Sequence, residues 1–146
     1  MGLAQSAEAP DAPEDFDLTI DVELSPDALA PAYRTPGSGS FTIFAPRDAE
    51  IRAAEWNIVR TGLTFRLPFM LVISVDDHDP LMEVHRTLID CEHEDELVLQ
   101  MRHRAPRGSG PGAWHPVRRG DPIARGIVLP IARPEFRLFE MEAERV

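Results

Sequence analysis

Hydrophobic and polar residues alternate in short runs along most of the chain. Leu18, Ile20 and Val22 are separated by Thr19 and Asp21, the two-residue period of a strand with one buried face. SPDALAP (25–31) interrupts this pattern. TPGSGS (35–40) holds no side chain suited to a core and reads as a turn. In SFTIF (40–44), Phe41 and Ile43 face one way and Thr42 and Phe44 the other. Ile51, Trp56, Ile58 and Val59 predict one strand leading into the Thr61-Gly62-Leu63 turn. FMLVISV (69–75) is a continuous apolar run with β-branched members, which favours a buried strand over a seven-residue helix. ELVLQM (96–101) predicts another strand, and RAPRGSGPG (104–112) a loop. In the last long strand Ile123, Ile127, Leu129 and Ile131 are expected to share one face.

Fourteen prolines in 146 residues leave little room for long helices. Only FEMEAERV (139–146) offers a short terminal one. Short strands separated by turn signals indicate an all-β sandwich or barrel. The length suits one domain with a real core.

Charge changes the picture at the N-terminus. Residues 1–33 hold eight acidic side chains and no basic one, leaving 17 acidic against 15 basic residues from Arg34 onward. The net charge of −10 therefore belongs mostly to the N-terminal end. Residues 1–15, rich in Ala, Pro and acid, cannot bury enough surface to offset their ordering entropy, and are expected to form a flexible arm. No basic stripe suited to a nucleic-acid backbone is present. No apolar run reaches the ~20 residues of a membrane helix. The N-terminus lacks a secretion-signal pattern. The expected location is the cytoplasm or a virion, with neither nucleic acid nor membrane as partner. A single cysteine, Cys91, excludes an internal disulfide, and its acidic neighbours disfavour a reactive thiolate.

Several segments, from about Ala30 to Arg133, fall in the order and spacing of the trimeric dUTPase (deoxyuridine triphosphatase) family. The Thr35-Pro36-Gly37-Ser38 turn and Ser40-Phe41-Thr42-Ile43 resemble its first motif, with Thr42 where the family carries the Asp of its magnesium-triphosphate site. Thr61-Gly62-Leu63 and Leu67-Pro68 match a structural turn and strand. The Arg-Ser-Gly of the second motif is missing, and Asp76-Asp77-His78-Asp79-Pro80 stands in its neighbourhood. Thr87 to Glu96 resembles the third motif. Asp90 takes the water-orienting position, Glu96 also matches, and His93 stands where a Tyr packs on the deoxyribose. Gly120-Asp121-Pro122-Ile123-Ala124-Arg125 resembles the fourth motif, with Pro122 for Arg and Arg125 for Gln. The Gly-rich C-terminal arm of the family is replaced by EFRLFEMEAERV (135–146).

The resemblance implies a dUTPase-like distorted β-barrel or jelly-roll-like sandwich over residues 16–133, a tail over 134–146, and a homotrimer with exchanged terminal segments. The departures weaken the implied chemistry. Phosphoryl transfer relies on positioned cations, yet arginines are lost at three places while Asp76, Asp77, Asp79, Glu92, Glu94 and Asp95 are present. Each unscreened like-charge contact near 4 Å costs on the order of 1–4 kcal/mol. Several of these outweigh the roughly 8 kcal/mol of micromolar nucleotide binding.

The expectation is a non-catalytic structural or binding module, such as an assembly or decoration component of a viral particle. The alternatives are a divergent nucleotide hydrolase and a regulatory protein on the same fold. Candidate residues are Asp90 for catalysis if the chain is active, and Arg125 and His93 for substrate. Trp114, His115, Arg118 and Arg119 are candidates for a partner, such as the acidic arm of a neighbouring subunit. No cofactor is expected unless the hydrolase alternative holds, which requires magnesium. No metal site is expected, because DDHD (76–79) suits a solvated turn and no two histidines have zinc-motif spacing.

Overall fold

The structure, a computed structural model, describes residues 18–53, 55–104 and 114–143. Among them are twelve strands and no helix, so the all-β expectation holds. The expected acidic arm and most of the Gly/Pro loop lie outside the described residues.

The strands are β1 (Asp21–Leu24), β2 (Ala32–Tyr33), β3 (Phe41–Phe44), β4 (Ala49–Arg52), β5 (Asn57–Arg60), β6 (Leu63–Arg66), β7 (Leu71–Asp77), β8 (Met82–Val84), β9 (Thr87–Ile89), β10 (Val98–His103), β11 (Trp114–Val117) and β12 (Pro122–Pro130). They form a five-stranded sheet β2-β3-β12-β7-β9, a three-stranded sheet β5-β10-β8, and the pairs β1-β6 and β11-β4. Every pairing is antiparallel. Phe41, Ile43, Ile73, Val75, Ile89 and Ala124 of the large sheet meet Ile51, Leu63, Phe65, Leu99 and Met101 of the other strands in one core.

Three expectations are corrected. The single strand expected across Ile51–Val59 is two, because β4 pairs with β11 whereas β5 pairs with β10. Asn57 pins the corner between them. Its Nδ2 donates to the carbonyls of Arg52 (3.1 Å), Glu55 (3.0 Å) and Met101 (3.1 Å).

In β12, Ile123 is buried, but Ile127 and Leu129 are 40% and 42% exposed. The register on β3 shifts between Pro122 and Ala124, and a one-residue slip moves every later side chain to the opposite face. Ala124, Gly126 and Val128 therefore turn towards the core. Gly126 is required there, because a Cβ would lie 2.4 Å from the Phe41 ring.

The terminal helix is also absent over 139–143, which is irregular. Phe136, Leu138, Phe139 and Met141 are 84–91% exposed, so no packed face stabilises so short a helix.

Candidate functional site

The turn that carries Asp90, between β9 of the large sheet and β10 of the three-stranded sheet, is held by its own bonds. The His93 N–H donates to the Asp90 carbonyl (3.1 Å), and the Glu92 N–H donates to Asp90 Oδ1 (2.9 Å). One carboxylate oxygen of Asp90 is thus committed to the turn, as Asp does in Asx-turns. His93 follows in the same turn, with its Nε2 buried and without a hydrogen-bond partner. Cys91 packs partly against the core.

Glu96, just before β10, acts as a structural clamp. Its Oε2 accepts from the Gly62 N–H (2.8 Å) and its Oε1 from Arg60 Nη2 (2.7 Å). The Arg60 hydrogen bond, followed by the Gly62 N–H and the nearby positive charges, lowers the Glu96 pKa despite partial burial. Thr61 completes the clamp from inside. Its hydroxyl donates to the Leu97 carbonyl (2.7 Å) and accepts from the Leu63 N–H (3.1 Å). Gly62 needs its left-handed φ of 75°, and a Cβ there would lie 2.4 Å from Ser25 Oγ. The residues that match the family at 61–63 and 96 thus tie the β5–β6 connection to the segment that leads into β10.

A second group forms on the large sheet. The antiparallel register sets Thr42, Arg125 and Asp76 in one row across β3, β12 and β7. These are the positions read from the first motif, the fourth motif and the acidic replacement of the second. Thr42 is buried at 4% exposure and Arg125 is exposed. Asp76 accepts from the Asp77 N–H (2.9 Å) and from Arg86 Nη2 (2.9 Å). Chiefly that backbone bond, with a further contribution from Arg86, lowers its pKa and keeps it anionic. Asp77 lies 3.7 Å from Arg104. Arg86 was not singled out in the sequence, because its partner is ten residues away and only the β7–β9 return brings them together.

The two groups do not meet within one chain. Asp90 follows Ile89, which pairs with Ile73, whereas Arg125 pairs with Asp76 two strands away. At ~3.3 Å per residue and ~4.8 Å per strand, they stand about 13 Å apart along the sheet and about 10 Å across it.

The partner candidates divide. Trp114, 52% exposed, and Arg118 line an open cavity of about 420 Å³ with Asp48, Glu50 and Pro116. His115 points the other way, into a cavity of about 230 Å³ with His78, Asp79 and Asp121, and stacks on His103 at 5.3 Å. The Arg119 N–H donates to Asp48 Oδ1 (2.9 Å) and the Arg118 N–H to Asp121 Oδ2 (2.9 Å), so both backbones are held by acids. In the 76–80 segment, Asp79 caps a turn by accepting from the Leu81 N–H (2.9 Å). No three His, Cys, Asp or Glu side chains among the described residues are grouped to hold a metal ion.

No protein-family model matches the chain. Curated relatives include the deoxyuridine 5'-triphosphate nucleotidohydrolase of Nautilia profundicola, 23% identical over 122 residues, covering 78% of this chain and 81% of that one. The Helicobacter hepaticus enzyme of the same name is 26% identical over 121 residues, covering 78% and 73%. Among solved structures, the dUTPase of Staphylococcus aureus phage phi11 superposes with a TM-score of 0.74 at 16% identity, over 85% of this chain and 98% of that one. In fold, and more weakly in sequence, the chain is similar to the dUTPases. The dUTPase of Staphylococcus phage 80alpha shares the fold at a TM-score of 0.72 and 15% identity. The dUTPase-like all-β architecture expected from the motifs is therefore present. No helix of the described residues is long and apolar enough to cross a membrane.

Proposed function

We propose that this dUTPase-like chain is a non-catalytic binding or structural module that works as a homotrimer. The carrying observation is the Thr42–Arg125–Asp76 row. Where magnesium needs an anionic ligand Thr42 offers a buried neutral hydroxyl, and where the phosphates need a free cation Asp76 brings a negative charge already paired with Arg86. Arg86 and Arg104 are drawn into pairs with Asp76, Asp77 and Glu83. These residues do not fit a magnesium-bound nucleotide.

The homotrimer rests on family likeness and on the apolar tail, whose four large side chains stay 84–91% exposed among the described residues. Such a trimer, with its acidic N-terminal segment, suits a component of a larger assembly such as a viral particle. The location in this reading is a virion or the cytoplasm.

The test is incubation with each deoxynucleoside triphosphate and magnesium, with pyrophosphate measured. The expected result is no release above the blank. Release that Asp90→Asn abolishes would establish the alternative, a divergent hydrolase cleaving a deoxynucleoside triphosphate to monophosphate and pyrophosphate with magnesium. That alternative draws on the curated relatives, which are named deoxyuridine 5'-triphosphate nucleotidohydrolases, on the retained Asp90, and on Arg125 as a replacement cation where the family carries Gln. A regulatory role is the third reading, since phage 80alpha dUTPases control transfer of virulence genes.

A further inference from the structure

We infer that the outer face of the β4–β11 ribbon binds a neutral sugar chain, with the Trp114 indole as the platform for one pyranose ring. The site uses neither the Thr42–Arg125–Asp76 row nor self-assembly, so it goes beyond the function proposed above.

The register builds the face. Trp114 stands opposite Arg52 and Pro116 opposite Glu50, and strand residues two apart share a side. The intervening Ile51 and Val117 are buried. One step past the last pair, the same alternation brings Asp48 and Arg118 to the outer side. Trp114, Pro116, Arg118, Asp48 and Glu50 line the open cavity of about 420 Å³, a size typical of small-ligand sites. At the rise of a strand, the row from Trp114 to Arg118 is about 13 Å long, room for more than one linked ring.

The framework is fixed before any ligand arrives. The Arg119 N–H holds Asp48 Oδ1 at 2.9 Å. The Arg118 N–H donates to Asp121 Oδ2 (2.9 Å), and the Asp121 N–H returns to the Arg118 carbonyl (2.9 Å). This turn and the paired strands present the side chains from a rigid backbone, so less entropy is lost on binding.

The lining selects the ligand class. Two carboxylates, Asp48 and Glu50, and two guanidinium groups, Arg52 and Arg118, leave the face with no net charge. A cation meets the arginines and an anion meets the acids, so neither is favoured. A wholly apolar ligand would strip water from charged groups without replacing its hydrogen bonds. A neutral ring with hydroxyls on its edge and C–H bonds on its face suits the whole lining. Carboxylates accept from the hydroxyls and guanidinium groups donate to their oxygens. The indole, 52% exposed, and the exposed Pro116 ring take the C–H face.

Titration of the full chain with cellotetraose, chitotetraose and maltotetraose tests this, read by intrinsic fluorescence in a Trp56→Phe background. The chain has two tryptophans, so Trp114 is then the sole indole. At least one of these neutral sugars should shift its emission saturably at millimolar concentration or below. Saturation-transfer NMR, which needs no indole, should show binding weakened on the order of tenfold or more in Trp114→Ala and several-fold in Glu50→Gln. Both positions are exposed, so folding is retained, and Ile58→Ala serves as a control with binding unchanged. Tetragalacturonate and tetra-arginine, the anionic and cationic probes, should bind more weakly than the neutral sugar. Absence of saturable binding by all the neutral sugars, binding that survives Trp114→Ala, or tighter binding of either charged probe overturns the site. None of these results bears on pyrophosphate release, so the function proposed above stands or falls separately.

Discussion

Replacing Glu96 separates a structural role from a chemical one at a position that matches the family motif. In Glu96→Ala the Gly62 N–H loses its 2.8 Å acceptor in a partly buried turn, a loss of about 1–3 kcal/mol. Arg60 is exposed and its pair is screened by solvent, so it adds little to that figure. Glu96→Gln keeps an oxygen acceptor for Gly62 and removes only the charge, so it should lose much less. For a chain of this length each kcal/mol moves the midpoint by roughly 3–4 °C, so Glu96→Ala should melt roughly 3–12 °C lower.

The carboxyl also carries a pH signature. Its pKa is lowered in the fold from the ordinary 4.5. Its stabilisation is therefore fully present above pH 4.5 and is lost as the pH falls through the lowered value. The gap between wild type and Glu96→Gln should shrink as the pH falls below 4.5. Thermal melts by circular dichroism, at one fixed protein concentration because assembly stabilises by mass action, measure both effects. Equal losses for the alanine and glutamine variants would show that the acceptor to Gly62 is not what Glu96 supplies. A gap that persists unchanged at pH 3 would refute the assigned ionisation.

Other outcomes follow from packing. Gly126→Val drives a side chain into the Phe41 ring, where even a Cβ meets three ring atoms within 2.9 Å; a loss of about 1–3 kcal/mol is expected in denaturant unfolding. Leu99→Ala empties a fully buried site in β10 and should lose about 2–5 kcal/mol, whereas Ile58→Ala, 66% exposed on the neighbouring strand, should stay within about 0.5 kcal/mol. Asn57→Ala releases three carbonyls at the β4–β5 corner and should speed amide exchange at Arg52 to Asn57 well beyond any change in β3 or β12.

Strand existence was legible where one face is buried, because a two-residue period has a single local cause. SFTIF, FMLVISV and ELVLQM became β3, β7 and β10. The turn at Thr61-Gly62-Leu63 was legible too, since a left-handed φ of 75° calls for glycine. Motif order carried the fold, whereas the adjacency of Thr42 and Arg125 came from the β3–β12 register.

What the chain did not disclose by itself depends on partners distant in sequence. The face taken by Ile127 and Leu129 turned on one unpaired residue at the β12 bulge, which no local pattern marks. The split of β4 from β5 depended on β11 and β10 arriving as different neighbours. Trp114 and His115 are adjacent in sequence but point into different cavities, because successive side chains of a strand alternate. Arg86 acquired its place beside Asp76 only when β9 returned along β7. Periodicity reports which residues prefer burial; register, set by long-range pairing, decides what they meet.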